Sequence, residues 1–157
     1  MKATVYIETS VVSYLTGRPS RDMVIAAHQE LTRQWWSERS ERFSLVASEL
    51  VLQEASAGDA EASRSRLSVL DQMAILSASE DAILLAERLI AGGPIPREFA
   101  ADALHIAIAA ANGVDYLLTW NYKHLANAAL RGKIEALIEK AGYAAPVICT
   151  PEELMED

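Results

Sequence analysis

Short runs of β-branched and aromatic residues alternate with longer stretches whose apolar residues recur at helical spacing, and this alternation restricts the fold more than any other feature. The runs are residues 4–7, 43–47, 74–76, 116–119 and 147–149. Strands separated by helices pair in parallel, because each helix returns the chain to the edge where the previous strand began. The pattern therefore predicts an α/β fold with a mostly parallel sheet covered by helices on both faces.

Capping residues and chain breakers bound the predicted helices. Ser48 and Ser79 stand where a serine hydroxyl caps a helix, and the Gly-Gly-Pro run at residues 92–94 ends one. The alanine-rich and isoleucine-rich composition of residues 98–112 predicts a buried helix. The predicted helices are residues 21–42, 48–58, a helix that starts at 59, 79–91 and 98–112.

The composition, with 51% hydrophobic and 23% charged residues, fits one globular domain over residues 1–157. No run approaches the roughly 20 apolar residues that a membrane-spanning helix needs, and the chain reaches Glu8 before a signal-like segment develops. The single cysteine, Cys149, excludes a disulfide framework and a cysteine-based zinc cluster. We therefore expect a cytoplasmic protein without membrane contacts.

Four polar residues fall where the predicted strands end, and these are the candidate catalytic residues. Glu8 follows the first strand, and Glu54 lies on the helix after the second. Asp102 lies early in the alanine-rich helix, and Asn121 follows the fourth strand. Ligands of open parallel sheets bind beyond the carboxyl ends of the strands, so we expect these four side chains to meet there.

Carboxylates that lie close together repel one another unless a cation neutralises them, so such a cluster is a candidate metal site. Carboxylate and amide oxygens are the hard ligands that Mg²⁺ or Mn²⁺ prefers. We expect Glu8, Glu54 and Asp102 to bind the ion and Asn121 to complete the site. A bound divalent ion lowers the pKa of coordinated water and stabilises charge on a phosphodiester, so a serine, histidine or cysteine nucleophile is not required.

Each of these residues also has a purely structural interpretation. Glu54, like Glu49, fits a solvated helix position, and Asp102 fits a charge that satisfies backbone amides at a helix N-terminus. His105 lies one turn after Asp102 on roughly the same face. A histidine bonded to a backbone group or a carboxylate is commoner than a catalytic base. The other histidines are predicted outside the site, His28 on the long helix and His124 in a loop.

Four segments, in order along the chain, resemble signatures of the PIN-domain family. Ile-Glu-Thr-Ser at residues 7–10 looks like the family's opening D-T-S, and residues 48–54 resemble the segment that ends in an acidic ligand. Asp-Ala-Leu-His-Ile-Ala at residues 102–107 resembles a helix start of the family, and Leu-Leu-Thr-Trp-Asn at 117–121 is similar to its L-x-T-x-D segment. The order and spacing of the four carry the resemblance, because each alone would match many unrelated proteins.

The resemblance implies a single PIN domain, a three-layer α/β/α sandwich with a five-stranded parallel, Rossmann-like sheet. It also implies dependence on Mg²⁺ or Mn²⁺ and cleavage of RNA. The small single-domain form looks like the VapC toxins of toxin–antitoxin pairs, which implies an antitoxin partner. Two positions depart from the family pattern: Glu8 stands for an aspartate and is one methylene longer, and Asn121 stands for an aspartate, which removes a charge and favours one tightly bound ion.

Residues near the expected site supply candidate substrate contacts. Thr9 and Ser10 are expected to cap the first helix and to place backbone amides near a phosphate. Thr119 is expected to support the site. Arg18, Arg21 and Lys123 are candidates for phosphate contacts, with ordinary surface charge as the alternative. The candidate substrate-binding set is Thr9, Ser10, Thr119, Arg18 and Lys123.

Net charge and apolar surface bear on the partners. A formal net charge of −8 argues against binding RNA through overall charge. This argument against a nuclease is weakened, but not removed, if some acidic residues bind a metal and the basic residues concentrate near the site. Trp35, Trp36 and residues 69–76 carry more apolar surface than a small sandwich needs, so we expect a homodimer or an antitoxin helix to cover some of it. One tryptophan is expected in the core and the other partly exposed.

Three function classes fit these features. The first is a metal-dependent endoribonuclease that acts as the toxin of a toxin–antitoxin pair. The second is a catalytically weakened PIN-like protein that binds nucleic acid or regulates a partner, which Asn121 and the acidic net charge favour. The third, another α/β phosphohydrolase, is disfavoured, because haloacid-dehalogenase-type phosphatases need a nucleophilic aspartate followed two residues later by another, and this strand ends in Glu8-Thr9-Ser10.

Overall fold

The computed structural model describes residues 1–155, and within them five parallel strands form one sheet in the order β3-β2-β1-β4-β5. The strands are β1 (Thr4–Ile7), β2 (Ser44–Ser48), β3 (Ala74–Leu76), β4 (Tyr116–Leu118) and β5 (Val147–Cys149). Strand order reverses beside β1, so the chain segments that leave β1 and β4 turn to opposite sides of the sheet. Ligands of such folds bind between those segments. The predicted five-stranded parallel sheet is confirmed.

Two helical layers cover the sheet. The helices are α1 (Thr9–Thr16), α2 (Met23–Arg39), α3 (Glu49–Ala55), α4 (Ala60–Leu70), α5 (Glu80–Ala91), α6 (Ala100–Ala111) and α7 (Ala128–Lys140). In one layer α1 contacts α2, α3 and α4, and in the other α5 contacts α6 and α7. The hydroxyls of Ser48 and Ser79 accept from backbone amides at the starts of α3 and α5, as the sequence predicts.

The central strand β1 is buried on both faces. Val5, Tyr6 and Ile7 have no exposed surface, so this strand does not alternate between apolar and polar residues. Parallel strands covered by helices on both faces have this composition. The hydroxyl of Tyr6 is a polar group inside the core, and such a group needs hydrogen-bond partners there.

Three local predictions differ from the structure. The helix predicted over residues 21–42 ends at Arg39 and continues as a 3₁₀ turn, Ser40–Arg42, while a second 3₁₀ turn, Arg97–Phe99, precedes α6. The residue that caps α1 is Glu8 rather than Thr9 or Ser10. Its backbone is extended and its carboxylate accepts from the Ser10 amide, so Thr9 and Ser10 lie in the first turn of the helix.

The adjacent tryptophans divide as predicted. Trp35 has no exposed surface and its indole N–H donates to the Leu154 carbonyl at 3.1 Å, whereas Trp36 is half-buried. Large apolar side chains are exposed at the start of α2, where Met23 is 87% and Val24 62% exposed, and Ile75, within the predicted apolar stretch 69–76, is 38% exposed. Over residues 1–155, the structure contains no helix with the length and apolarity that crossing a membrane requires.

Candidate metal centre

Parallel pairing brings the residues that follow β1 and β4 together. Ile7 pairs with Leu118, and the Glu8 amide donates to the Leu118 carbonyl at 3.1 Å. Glu8 and Thr119 therefore lie side by side at the carboxyl edge of the sheet. On the other side of β1 lies β2, and α3, which begins directly after β2, carries Glu54.

Glu8 is only 7% exposed, and its carboxylate is fixed by three hydrogen bonds. Oε1 accepts from the hydroxyls of Ser10 and Thr119, both at 2.5 Å, and Oε2 accepts from the Ser10 amide at 3.1 Å. The Ser10 hydroxyl accepts from the Trp120 amide at 2.9 Å, and the Thr119 hydroxyl from the Asn121 amide at 3.0 Å. Since each hydroxyl accepts an amide hydrogen, its own hydrogen is directed at Glu8.

Glu54 lies beside Glu8, and its side chain is 34% exposed. Its Oε1 accepts from the Thr9 hydroxyl at 2.5 Å and lies 2.7 Å from His105 Nε2. Burial alone would raise the pKa of Glu54, but the hydrogen bonds with His105 and Thr9 lower it below its ordinary value. Glu54 is therefore an ionised carboxylate at neutral pH. Both contacts are made by Oε1.

His105 is buried on α6, with 1% of its surface exposed, and it belongs to a chain of hydrogen bonds. Its Nδ1 lies 2.7 Å from the Tyr6 hydroxyl, which lies 2.7 Å from the Ser48 hydroxyl. The Ser48 hydroxyl also accepts from the Val51 amide at 3.2 Å. Burial raises the pKa of Tyr6 well above its ordinary value, so its hydroxyl keeps its hydrogen.

Within residues 1–155, one group of acidic and histidine side chains has its potential ligand atoms all within 4.8 Å of one another: Glu8, Glu54 and His105. Two of these three residues are sequence-predicted metal ligands. The third, His105, was predicted to bond with a backbone group or carboxylate rather than act as a base, and it does bond with a carboxylate. The sequence signal for this contact is a histidine in an otherwise apolar helix, since a buried imidazole needs partners.

Asp102 and Asn121, the other two candidate catalytic residues, lie together but outside this group. The Asn121 amide donates to Asp102 Oδ1 at 3.2 Å, and His124 Nδ1 lies 2.8 Å from Asp102 Oδ2. Asp102 is one helical turn before His105 on α6. The contact with His124 was missed, because the sequence places that histidine in a loop without fixing where the loop folds. The roles of Asp102 and Asn121 as metal ligand and catalytic residue stay predictions.

The donor set fits a hard divalent cation. The carboxylates of Glu8 and Glu54 lie close together. Their hydrogen bonds with hydroxyl groups, a backbone amide and the His105 ring orient them but do not remove the repulsion between their charges. A cation between them would relieve that repulsion. Carboxylate oxygens suit Mg²⁺ and Mn²⁺. The structure therefore places two carboxylates that could hold a divalent cation at the carboxyl edge of the sheet.

The predicted substrate-binding residues have different surroundings. The hydroxyls of Thr9, Ser10 and Thr119 donate to the carboxylates, so these residues position Glu8 and Glu54. Lys123 is exposed beside the site; its amide donates to Asn121 Oδ1 at 3.2 Å and its ammonium lies 5.1 Å from the centre of the Phe99 ring. Arg18 and Arg21 are exposed beyond the far end of α1 from Glu8. Phosphate contacts by these side chains stay predictions.

His28 lies closer to the site than the sequence indicates. Its ring stacks on Trp120 at 4.1 Å between centroids and lies 5.7 Å from the Tyr122 ring, while Tyr14 on α1 also packs against Trp120 at 6.3 Å. These four rings connect α1 and α2 to the segment after β4. They fix the position of Trp120, whose amide holds the Ser10 hydroxyl.

The fold of this chain resembles those of three solved VapBC and VapC structures. VapBC2 from Rickettsia felis, bound to a DNA fragment from its promoter, aligns at a TM-score of 0.58 and 16% identity, covering 94% of this chain and 98% of that one. Mycobacterium tuberculosis VapC20, a sarcin-ricin-loop-cleaving toxin, aligns at 0.57 and 12%, covering 89% and 96%. VapBC-1 from nontypeable Haemophilus influenzae aligns at 0.52 and 18%, covering 77% and 89%.

These likenesses establish the fold. The chain has the PIN-domain fold of the VapC proteins, as the motif resemblance implies, over nearly its whole length. No protein-family model matches the sequence, and no curated protein matches it either. The function of the chain therefore has to be argued from its own side chains.

Proposed function

We propose that this protein is a metal-dependent endoribonuclease and the toxin of a toxin–antitoxin pair. The observation that carries the proposal is the approach of Glu8 and Glu54 at the carboxyl edge of the sheet, where one potential ligand atom from each of Glu8, Glu54 and His105 lies within 4.8 Å of the other two. The fold shared with VapC toxins supports the same activity. The VapBC pairs among the similar structures support an antitoxin as the partner of this chain.

Some residues of the site would bind the metal ion, and others position the residues that bind it. Glu8 and Glu54 would hold one Mg²⁺ or Mn²⁺ ion, with Asp102 as a third oxygen ligand supported by Asn121. A bound ion of this type polarises a water for attack on a phosphodiester and stabilises charge on the phosphoryl oxygens. The hydroxyls of Ser10 and Thr119 hold Glu8 in one orientation.

The partial burial of the site would strengthen the binding of a metal ion and a phosphate. Glu8 is 7% exposed, so water has little access to its carboxylate, and interactions with an ion and a phosphate are stronger there than in bulk water. Lys123 lies two positions after Asn121 in the sequence and is exposed. We propose that its ammonium group contacts a substrate phosphate. A homodimer or an antitoxin helix is proposed to cover exposed apolar surface, which includes Met23 and Val24.

Removal of divalent metal is expected to abolish RNA cleavage. The purified chain should cleave single-stranded RNA in Mg²⁺ or Mn²⁺, lose this activity in excess EDTA, and regain it when Mn²⁺ is added beyond the chelator. The measurement is the rate of product formation from a labelled oligonucleotide. A preparation of the Glu54→Gln variant serves as the control for contaminating nuclease. Cleavage that continues in EDTA, or that is equal in this control, would refute the proposal.

A further inference from the structure

We infer that His105 is a positioning residue that donates its Nε2 hydrogen to Glu54 and is not a ligand of the metal, so that the ion is bound by oxygen atoms alone. This inference rests on the proposed function and deepens it. The alternative is that two carboxylates and one imidazole form a mixed site, as the positions of Glu8, Glu54 and His105 within 4.8 Å would suggest. The two arrangements differ in where the hydrogen on the His105 ring lies.

The direction of the hydrogen bonds starts at Ser48. The Val51 amide donates to the Ser48 hydroxyl, and Ser48, with no exposed surface, then has its own hydrogen for the Tyr6 hydroxyl at 2.7 Å. Tyr6, equally buried, passes its hydrogen on to His105 Nδ1 at 2.7 Å. An imidazole that accepts a hydrogen bond at Nδ1 carries its own hydrogen on Nε2, which is 2.7 Å from Glu54 Oε1.

If the hydrogen bonds from Ser48 to Glu54 ran in the opposite direction, His105 Nε2 and the Ser48 hydroxyl would each lack a suitable partner. If Nδ1 carried the hydrogen, Nε2 and the ionised Glu54 oxygen would be two acceptors 2.7 Å apart. The Tyr6 hydrogen would turn to Ser48, and the Ser48 hydrogen would have no acceptor among the contacts that the structure gives this hydroxyl within residues 1–155. A buried polar group without a partner is costly. The arrangement with the hydrogen on Nε2 satisfies every group.

Packing keeps the ring in this arrangement. His105 is 1% exposed, and its ring meets the Tyr6 ring edge-on, with centroids 5.8 Å apart and an interplanar angle of 76°. A rotation that freed Nε2 for a metal would break the contact with Tyr6 inside the core. Histidines bonded to carboxylate ligands in this way orient those ligands, and their loss costs about 10- to 100-fold in metal affinity. An oxygen-only site suits Mg²⁺ and Mn²⁺, whereas imidazole would favour Zn²⁺ or Ni²⁺.

The test combines a spectroscopic measurement with metal titration of the full chain. Long-range ¹H–¹⁵N correlation spectra are recorded without metal and with saturating Mg²⁺, and the His105 signals are assigned by their loss in His105→Gln. We expect the Nε2–H tautomer in both spectra. A hydrogen on Nδ1 in the Mg²⁺-loaded protein would overturn the inference, whether or not the chain cleaves RNA.

Mn²⁺ affinity of three variants gives the second readout. The amide of His105→Gln can replace the donor to Glu54, so we expect its affinity to stay within about threefold of wild type, whereas His105→Leu should lose about 10- to 100-fold. Glu49→Gln is the control, since Glu49 is exposed on α3 and should bind Mn²⁺ like the wild type. Equal losses in the Gln and Leu variants would indicate a ligand, and unchanged affinity in the Leu variant would indicate no role; either result contradicts the inference.

Discussion

Glu54→Gln is expected to reduce RNA cleavage by about 10²- to 10⁴-fold, because a metal ion contributes several kcal/mol of charge stabilisation in the transition state and each 1.4 kcal/mol is about tenfold in rate. Glutamine keeps the shape of Glu54 and still accepts from Thr9, but it removes the charge that would bind the ion. The measurement is the rate of cleavage at saturating Mn²⁺.

Glu49→Gln is the matched control for this variant. Glu49 lies on the same short helix as Glu54 and is exposed, and from sequence the two glutamates were alternatives for a solvated position. We expect Glu49→Gln to cleave at the wild-type rate. If both variants cleave equally well, Glu54 is a surface residue and the proposed site is wrong.

Asp102→Asn is expected to abolish cleavage with a modest loss of stability. The side chain of Asp102 is 19% exposed and is held by Asn121 and His124, so the substitution should cost about 1.5–3 kcal/mol, the range for hydrogen bonds to charged groups. This loss is small beside the roughly 5–15 kcal/mol that stabilises a typical domain, and unfolding in urea measures it.

Growth of bacteria that express the chain supplies a second readout for the same substitution. Wild-type protein is expected to arrest growth, and Asp102→Asn to be tolerated at equal expression. Retained cleavage in a folded Asp102→Asn protein would remove Asp102 from the metal centre and leave the group formed by Glu8, Glu54 and His105 to account for activity.

The strands and the approach of two carboxylates were predictable from sequence, because both follow from local patterns and one topological rule. Residues 4–7 and 147–149 are apolar and β-branched, and they form β1 and β5. Parallel strands place their carboxyl ends at one edge of the sheet, so the sequence alone predicts that Glu8 and Glu54 belong to one site. The helix ends were less predictable, since the last turns of α2 depend on packing at its end.

The hydrogen bonds that orient the carboxylates were not predictable in detail. The contact between Tyr6 and His105 joins residues 99 positions apart, and it depends on how α6 packs against β1. Sequence offers only the signal that a tyrosine in a buried strand and a histidine in an alanine-rich helix need polar partners. Likewise, Asp102 lies at the predicted edge, but its contacts with Asn121 and His124 depend on the loop after β4.

The central claim is that Glu8 and Glu54 bind one divalent cation between them, and calorimetric titration of Mn²⁺ into the metal-free protein tests it most directly. The account predicts one site in the wild-type chain and an affinity at least about tenfold weaker in both Glu8→Gln and Glu54→Gln, since each removes a carboxylate ligand. Glu49→Gln should bind like the wild type. Mn²⁺ affinity that is unchanged in both site variants, or the absence of binding to the wild-type chain, would contradict the account.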